Sequence, residues 1–299
     1  MGYIILDLEW DSAYSVKYRR FVNQILQIGA VRLNESFEVT DTFLETVKSS
    51  ISKKVTGRFA GLTGITTEKM LAGVPFETAV DDYNNWAAGN AVTMTWSDSD
   101  LYSIKENEEY ILNGKTFKIG KYLDLQRFVQ GELRLLGYED KNQISLSAAA
   151  EKLKVAYEGL ELHTARDDSL LCAALLKKCY NKERFEPLIR DTADPEFYKR
   201  LRFKPYFISD INDEQIDKKL LVFQCDKCGK TAKQLSKWRY RNRWFSARFE
   251  CASCHRRFCG RVTFKKTYDD LKARRRICEI KPKTEKLNKN DMQPVSEGM

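Results

Sequence analysis

Tyr3-Ile4-Ile5-Leu6-Asp7-Leu8-Glu9-Trp10 decides how the rest of the chain is read. Its apolar, β-branched density marks a strand buried on both faces, as in the centre of a layered sheet. Side chains alternate along a strand, so Asp7 and Glu9 point to the same face. Two carboxylates a few ångströms apart repel by roughly 4 kcal/mol at an effective dielectric of about 20, and a cation must compensate them. A hard divalent metal answers that need. So does a strand end that reaches solvent or a salt bridge, and this stretch alone leaves both open.

With 299 residues, 42% of them hydrophobic, the chain can fill one good core and a second small unit. No apolar run approaches the ~20 residues needed to span a bilayer. The first residues read as a strand rather than a secretory leader, so no membrane association and a cytoplasmic location are expected. The net charge of +9 is unevenly placed: residues 219–266 hold 14 Lys and Arg against 2 Asp and Glu. That asymmetry suits a catalytic body carrying a polyanion-binding module. Cys172 and Cys179 lie in an apolar helical segment and read as buried small hydrophobes. Four of the other six cysteines form two Cys-x-x-Cys pairs, which in a cytoplasmic chain bind metal more often than they form disulfides.

Strand patterns follow the opening at residues 24–33, 36–47, 91–96 and 116–123. Helical spacing recurs over 75–88, from about 97 to 112, and over 124–137, 145–154 and 164–180. The order predicts an α/β domain over residues 1–182. A charged connector over 183–218 packs loosely on it, a small unit covers 219–266, and a short helix lies within 267–280. The Lys-, Asn- and Glu-rich stretch 281–299 has almost nothing to bury and is expected to be disordered.

Two further places can bring chemistry to the strand-one acids. In Leu162-His163-Thr164-Ala165-Arg166-Asp167-Asp168, Thr164 and Asp167 make a capping-box-like helix start. Inside one helix His163 and Asp168 would diverge by about 140°. With His163 in the preceding turn, both address one point near the helix N-terminus. Asp167 reads as a cap and dipole partner. In Thr95-Trp96-Ser97-Asp98-Ser99-Asp100-Leu101 a strand end runs into a helix, at the sheet edge where ligands collect. Asp100 sits where it could look back to Asp7 and Glu9, and either it or Asp98 could instead be a cap.

Asp7-x-Glu9, Asp100, and His163 with Asp168 beyond it resemble the three exonuclease motifs of the DEDDh (DnaQ-like) 3′–5′ exonucleases. Gln27-Ile28-Gly29-Ala30-Val31, Leu62-Thr63-Gly64-Ile65-Thr66 and Gly159 add to the likeness, which covers about residues 1–180. Asp7-Leu8-Glu9-Trp10 and the 96–101 stretch look nearest the branch that includes histone-mRNA and small-RNA-trimming exonucleases. The second motif departs from the usual Asn-x-x-Phe/Tyr-Asp, which keeps Asp98 as a competitor to Asp100. Gln27 stands where many relatives carry glutamate. The resemblance implies an RNase H-like mixed five-stranded sheet with helices on both faces. It also implies two Mg²⁺ or Mn²⁺ ions on Asp7, Glu9, Asp100 and Asp168, with His163 as general base. The products would be nucleoside 5′-monophosphates, released from the 3′ end of RNA or DNA.

Cys225-Asp226-Lys227-Cys228 and Cys251-Ala252-Ser253-Cys254 offer four thiolates for one structural Zn²⁺ in a small C-terminal zinc ribbon, with a hairpin in the 22-residue gap. His255 and Cys259 are spare ligands in principle. Arginines and aromatics interleave at Arg239, Arg241, Arg243, Trp244, Arg248 and Arg257, a pattern suited to single-stranded nucleic acid. The same alternation would equally build a ribbon core on one face and solvate the other. The expectation is a metal-dependent 3′–5′ exonuclease whose basic ribbon captures single-stranded RNA or DNA 3′ ends. A ribbon that docks a protein partner, and a nucleic-acid- or protein-binding adaptor with little nuclease activity, are the alternatives.

Overall fold

The computed structural model describes residues 2–111, 115–139 and 142–280. The chain divides into two compact units, Met1–Arg202 and Phe203–Met299.

In the first unit, β1 (Gly2–Ser15) and β2 (Arg20–Leu33) form a long antiparallel hairpin, and β3 (Val39–Lys48) extends it. Then come α1 (Gly57–Thr63), α2 (Thr67–Ala72), β4 (Val74–Pro75), α3 (Phe76–Trp86), β5 (Ala91–Thr95), α4 (Ser99–Tyr110), β6 (Lys121–Asp124) and α5 (Leu125–Leu135). The unit closes with α6 (Leu146–Leu153), α7 (Ala165–Cys179), α8 (Lys182–Phe185), β7 (Arg190–Asp191) and α9 (Pro195–Arg202). The strand order is β4-β3-β2-β1-β5-β6-β7. Five strands make the expected mixed sheet, and the two-residue β4 and β7 add to its edges.

β1 is central because it is apolar on both sides. Ile5 and Val31 pack with Phe128, Leu171 and Leu175 on one face; Ile4, Leu6 and Ile28 pack with Val80, Tyr83 and Ile104 on the other. Each such side chain contributes about 1.5–3 kcal/mol on burial. Two features of β1 matter for the site. Its parallel pairing with β5 runs only from Gly2↔Ala91 to Ile5↔Met94, so the strand beyond Ile5 has no neighbour on that side. Its register with β2 shifts between Glu9 and Trp10, where a bulge bends the hairpin.

The second unit is a six-stranded sheet of β8 (Tyr206–Phe207), β9 (Ala232–Gln234), β10 (Arg239–Arg241), β11 (Trp244–Cys251), β12 (Arg257–Lys266) and β13 (Leu271–Cys278). The run β10-β11-β12-β13 is antiparallel; β9 pairs with β11 and β8 with β12. Asn242 and Arg243, both at positive φ (50° and 64°), make the two-residue turn between β10 and β11, as a twisted hairpin demands. Two small cores fill one side, one around Phe223, Phe249 and Phe258, the other around Phe245, Val262 and Phe264.

Three sequence expectations need correcting. The stretch 267–280 is not a helix: its arginines lie on β13, where pairing with β12 overrides local propensity. Residues 183–202 are not a loose connector, since Phe185 is fully buried in the first unit's core and β7 pairs with β6. Of the strand expected over 116–123, the part that finds a partner is β6, although Phe117 and Ile119 are buried. The tail expected to be disordered, 281–299, lies outside the described residues. Among the described residues no helix is long and apolar enough to cross a membrane.

Candidate active site

Asp7 and Glu9 lie opposite Gly29 and Gln27 of β2, and these two residues bring the third acid in. A Cβ on Gly29 would lie 2.3 Å from the Ala165 carbonyl carbon and from the Arg166 nitrogen. Only glycine lets the α7 N-terminus come down over the acid face at that point. Gln27 holds it there, because its Oε1 accepts the buried Ala165 N–H at 3.2 Å. Thr164 caps the helix, as the sequence suggested, by accepting the Asp167 N–H at 3.4 Å. Asp167 is a structural group: it accepts the Glu161 N–H at 2.9 Å and the Arg166 Nε–H at 2.8 Å.

Asp168, in the first turn of α7, thereby joins the strand-one pair. Carboxylate oxygens of Asp7, Glu9 and Asp168 all lie within 4.8 Å of one another. Asp100 flanks this trio. Buried in the first turn of α4, it accepts the Leu8 N–H at Oδ1 (3.1 Å), the donor that β1 leaves free where β5 ends. One unpaired backbone group thus places Asp100 between the two β1 acids. Asp98 is exposed at the start of α4 and caps nothing with its side chain. His163 is exposed, in the left-handed region at φ 69°, and its N–H donates to Asp168 Oδ1 at 3.4 Å. A non-glycine residue there is strained, as residues poised at functional sites often are.

The electrostatics are those of a crowded anionic pocket. Burial, then the charges of Asp100, Asp168 and Glu9, push Asp7 well above the usual carboxylate range. Burial with Asp168 and Asp100 pushes Glu9 to about 8. Burial lifts Asp100 to about 8 as well, although its own N–H and that of Leu8 pull the other way. Burial raises Asp168, and the His163 N–H and imidazole charge offset part of that. No lysine or arginine pairs with Asp7, Glu9 or Asp168 among the described residues, so no basic side chain there neutralises the donor set. Clustered hard oxygens without a basic partner fit Mg²⁺ or Mn²⁺.

In the second unit, the Sγ atoms of Cys225, Cys228, Cys251 and Cys254 lie within 4.8 Å of one another. Two matching turns hold them: Gly229 N–H reaches Cys225 O and His255 N–H reaches Cys251 O, each at 2.9 Å. Gly229 and His255 both have positive φ, so His255 is a turn residue and, with Cys259, stands outside the cluster. The Cys254 and Ser253 N–H groups bring the Cys251 thiol down to about 6. Burial works against Cys225, but the Lys227 and Cys228 N–H groups lower it. Tetrahedral Zn–S bonds of about 2.3 Å put sulfurs about 3.8 Å apart. The Cys225–Cys254 and Cys228–Cys251 separations, 3.6 and 3.4 Å, fit that.

The six residues expected to touch nucleic acid are not equally placed to do so. Arg239, Arg241 and Arg248 are exposed on the side of the sheet away from its cores. Arg257 is held by Glu250 at 2.9 Å, and the Arg243 guanidinium lies 5.1 Å from the Phe207 ring centroid. Trp244 is covered by the guanidinium groups of Arg261 and Arg276, 5.2 and 4.4 Å from its ring centroid. Trp238, Phe245, Phe249 and Phe258 belong to the two cores.

A central strand and the first turns of two helices that bring acids together make an RNase H-like nuclease. The exonuclease model of the RNase_T family matches residues 5–176, and the chain belongs to that family. Among solved structures the fold is similar to that of cell-death related nuclease 4 (CRN-4), at 19% identity and a TM-score of 0.50, covering 59% of this chain. This chain spans 62% of that one, less than two thirds of its length. It is also similar to the nuclease domain of 3′hExo, a DEDDh family member whose structure holds rAMP, at 21% identity and a TM-score of 0.50, over 59% of this chain and 90% of that one. No curated protein matches the chain.

Proposed function

We propose that the chain is a metal-dependent 3′–5′ exonuclease that releases nucleoside 5′-monophosphates from RNA or DNA, with nucleic acid captured by a C-terminal zinc ribbon. The observation that carries the catalytic part is the trio Asp7, Glu9 and Asp168 within 4.8 Å, without a basic partner. These three, with Asp100, would hold two Mg²⁺ or Mn²⁺ ions. When bound, such ions neutralise the scissile phosphate and sharpen water as a nucleophile. Asp100 fixes the β1 backbone between the two strand acids, and Gln27 fixes α7, so the carboxylates are set before substrate arrives. His163 stands exposed beside Asp168 and takes the proton of the attacking water on an imidazole nitrogen. The strained left-handed backbone at His163 aims the residue from outside the helix rather than along it.

Cys225, Cys228, Cys251 and Cys254 would hold one structural Zn²⁺ that stabilises the second unit by tying its two turns together. The test uses 5′-labelled single- and double-stranded RNA and DNA with Mg²⁺ or Mn²⁺, comparing wild type with Asp7→Ala and His163→Ala. A ladder shortening from the 3′ end, lost in both variants, supports the proposal. A wild type as inert as the variants on all four substrates with either metal would leave the adaptor reading in its place.

A further inference from the structure

We infer that the outward face of the second unit's sheet is a track for the sugar-phosphate backbone of a nucleic-acid strand, gripped by Arg239, Arg241, Arg248, Arg261, Arg274 and Arg276. This rests on the nucleic-acid capture proposed above and supplies its residues and its chemistry.

The register assembles the track. Arg239 and Arg241 stand opposite Ser246 and Trp244 on β11, Arg261 of β12 stands opposite Arg276 of β13, and Arg274 stands opposite Thr263. Arg248 lies two residues beyond Ser246 on the same face of β11. Neighbouring strands lie about 4.8 Å apart and alternate residues on a strand about 6.8 Å apart, so the guanidinium groups tile the face at close spacing. Arg274 and Arg276 come from β13, in the stretch whose sequence reads as a short helix.

Such a face costs the fold stability. Like charges directly across a sheet destabilise it, and both Arg261↔Arg276 and Lys265↔Lys272 are such pairs. Among the described residues no carboxylate pairs with any of the six, because Glu250, the acid of this face, is taken by Arg257. Trp244 under Arg261 and Arg276 offsets only part of the repulsion. The Arg261 Nε–H is buried without an acceptor. A surface so composed is completed by an external polyanion. Planar guanidinium forks match phosphate oxygens two at a time, which lysines do not.

The same face lacks what base recognition needs. Stacking platforms must present a free ring. Trp244 is covered, Tyr240 points to the core side against Phe245, and the other large aromatics of β11 and β12 are buried. Contact is therefore to the backbone, largely independent of sequence.

The experiment uses the full chain carrying Asp7→Asn, so that probes stay intact, and measures the affinity of a 20-nucleotide oligo(dT) across a salt series. The triple variant Arg261→Gln/Arg274→Gln/Arg276→Gln should weaken binding at least about 30-fold at low salt and flatten the log–log salt slope by about 2, at about 0.7 per phosphate contact on a single strand. The single variants Arg274→Gln and Arg276→Gln, each flattening it by about 0.7, serve if the triple variant does not fold. Arg243→Gln, whose guanidinium lies over Phe207, should stay within about twofold, and an abasic sugar-phosphate oligomer of equal length should bind within about threefold of oligo(dT). If the parent binds but the triple variant binds equally well, or the abasic oligomer loses most of its affinity, the track is wrong while capture stands. Equal competition by polyglutamate of matched charge would assign the face to an acidic protein. A parent with no salt-dependent binding to any oligonucleotide would remove the capture proposal itself.

Discussion

The two units crowd like charges in opposite ways. In the first, three half-buried carboxylates meet beside a buried fourth, Asp100, and burial raises their pKa values, Glu9 and Asp100 to about 8. In the second, arginines gather on an exposed sheet face and stay charged, since a guanidinium does not give up its proton. A half-buried anionic cluster calls for compact, hard divalent cations. An exposed cationic face calls for an extended anion that brings its own spacing. The two should therefore be separable by substitution, one governing cleavage and the other capture.

The largest expected effect is on cleavage. Asp7→Asn or Asp168→Asn removes a charge from the trio and should cut single-turnover hydrolysis by about 10³-fold or more, several kcal/mol of transition-state stabilisation. Oligonucleotide affinity should change by less than about threefold. An equal loss of both would break the division of labour. His163→Ala should cost less, about 10²-fold, because a general base typically contributes 10²–10⁴ and the acids remain. Single-turnover rates at saturating metal separate the two classes.

Next in size is the effect of metal removal on the second unit. Cys251→Ser, or a chelator that strips zinc, should unfold the ribbon and abolish capture. Melting of the first unit should be unchanged within about 2 °C, as read by two calorimetric transitions, of which one disappears.

The pocket's pKa values set a pH signature. A carboxylate raised on folding favours the protonated folded form, so the stability it allows is present below its ordinary pKa and fades as pH rises toward about 8. In EDTA the first unit should melt at lower temperature at pH 8 than at pH 5.5. Mg²⁺ should reverse the difference, and its binding should release protons at pH 7. The arginine face should show no pH dependence of capture across that range.

Much of this was legible in the chain itself, and the reasons are local. Alternation in β1 put Asp7 and Glu9 on one face, and the Thr164–Asp167 cap placed Asp168 one turn into α7. Two Cys-x-x-Cys turns are short-range devices, and they close as expected. What the sequence concealed depends on distant pairing. Arg274-Arg275-Arg276 has no alternation of its own, and only the register with β12 sends Arg274 and Arg276 to one face and Arg275 to the other, against Phe223. Asp100 was ambiguous with Asp98 until the free Leu8 N–H, 92 residues away, showed which of them turns inward.

Gln27 tests the acid side of the comparison most finely. Its role was hidden because its partner, the Ala165 N–H, lies 138 residues along the chain. Gln27→Ala leaves that buried donor unpaired and should cost about 1–3 kcal/mol, with a loosened α7 that lowers turnover more than binding. Gln27→Glu keeps the acceptor but sets another carboxylate opposite Glu9 in a pocket already short of cations. It should melt close to wild type in Mg²⁺ and lower than wild type in EDTA at pH 8, with the gap closing at pH 5.5, where the added carboxyl and its neighbours are protonated. A Gln27→Glu chain equally stable with and without metal at pH 8 would mean that charge density does not limit this pocket, and the contrast with the arginine face would lose its physical basis.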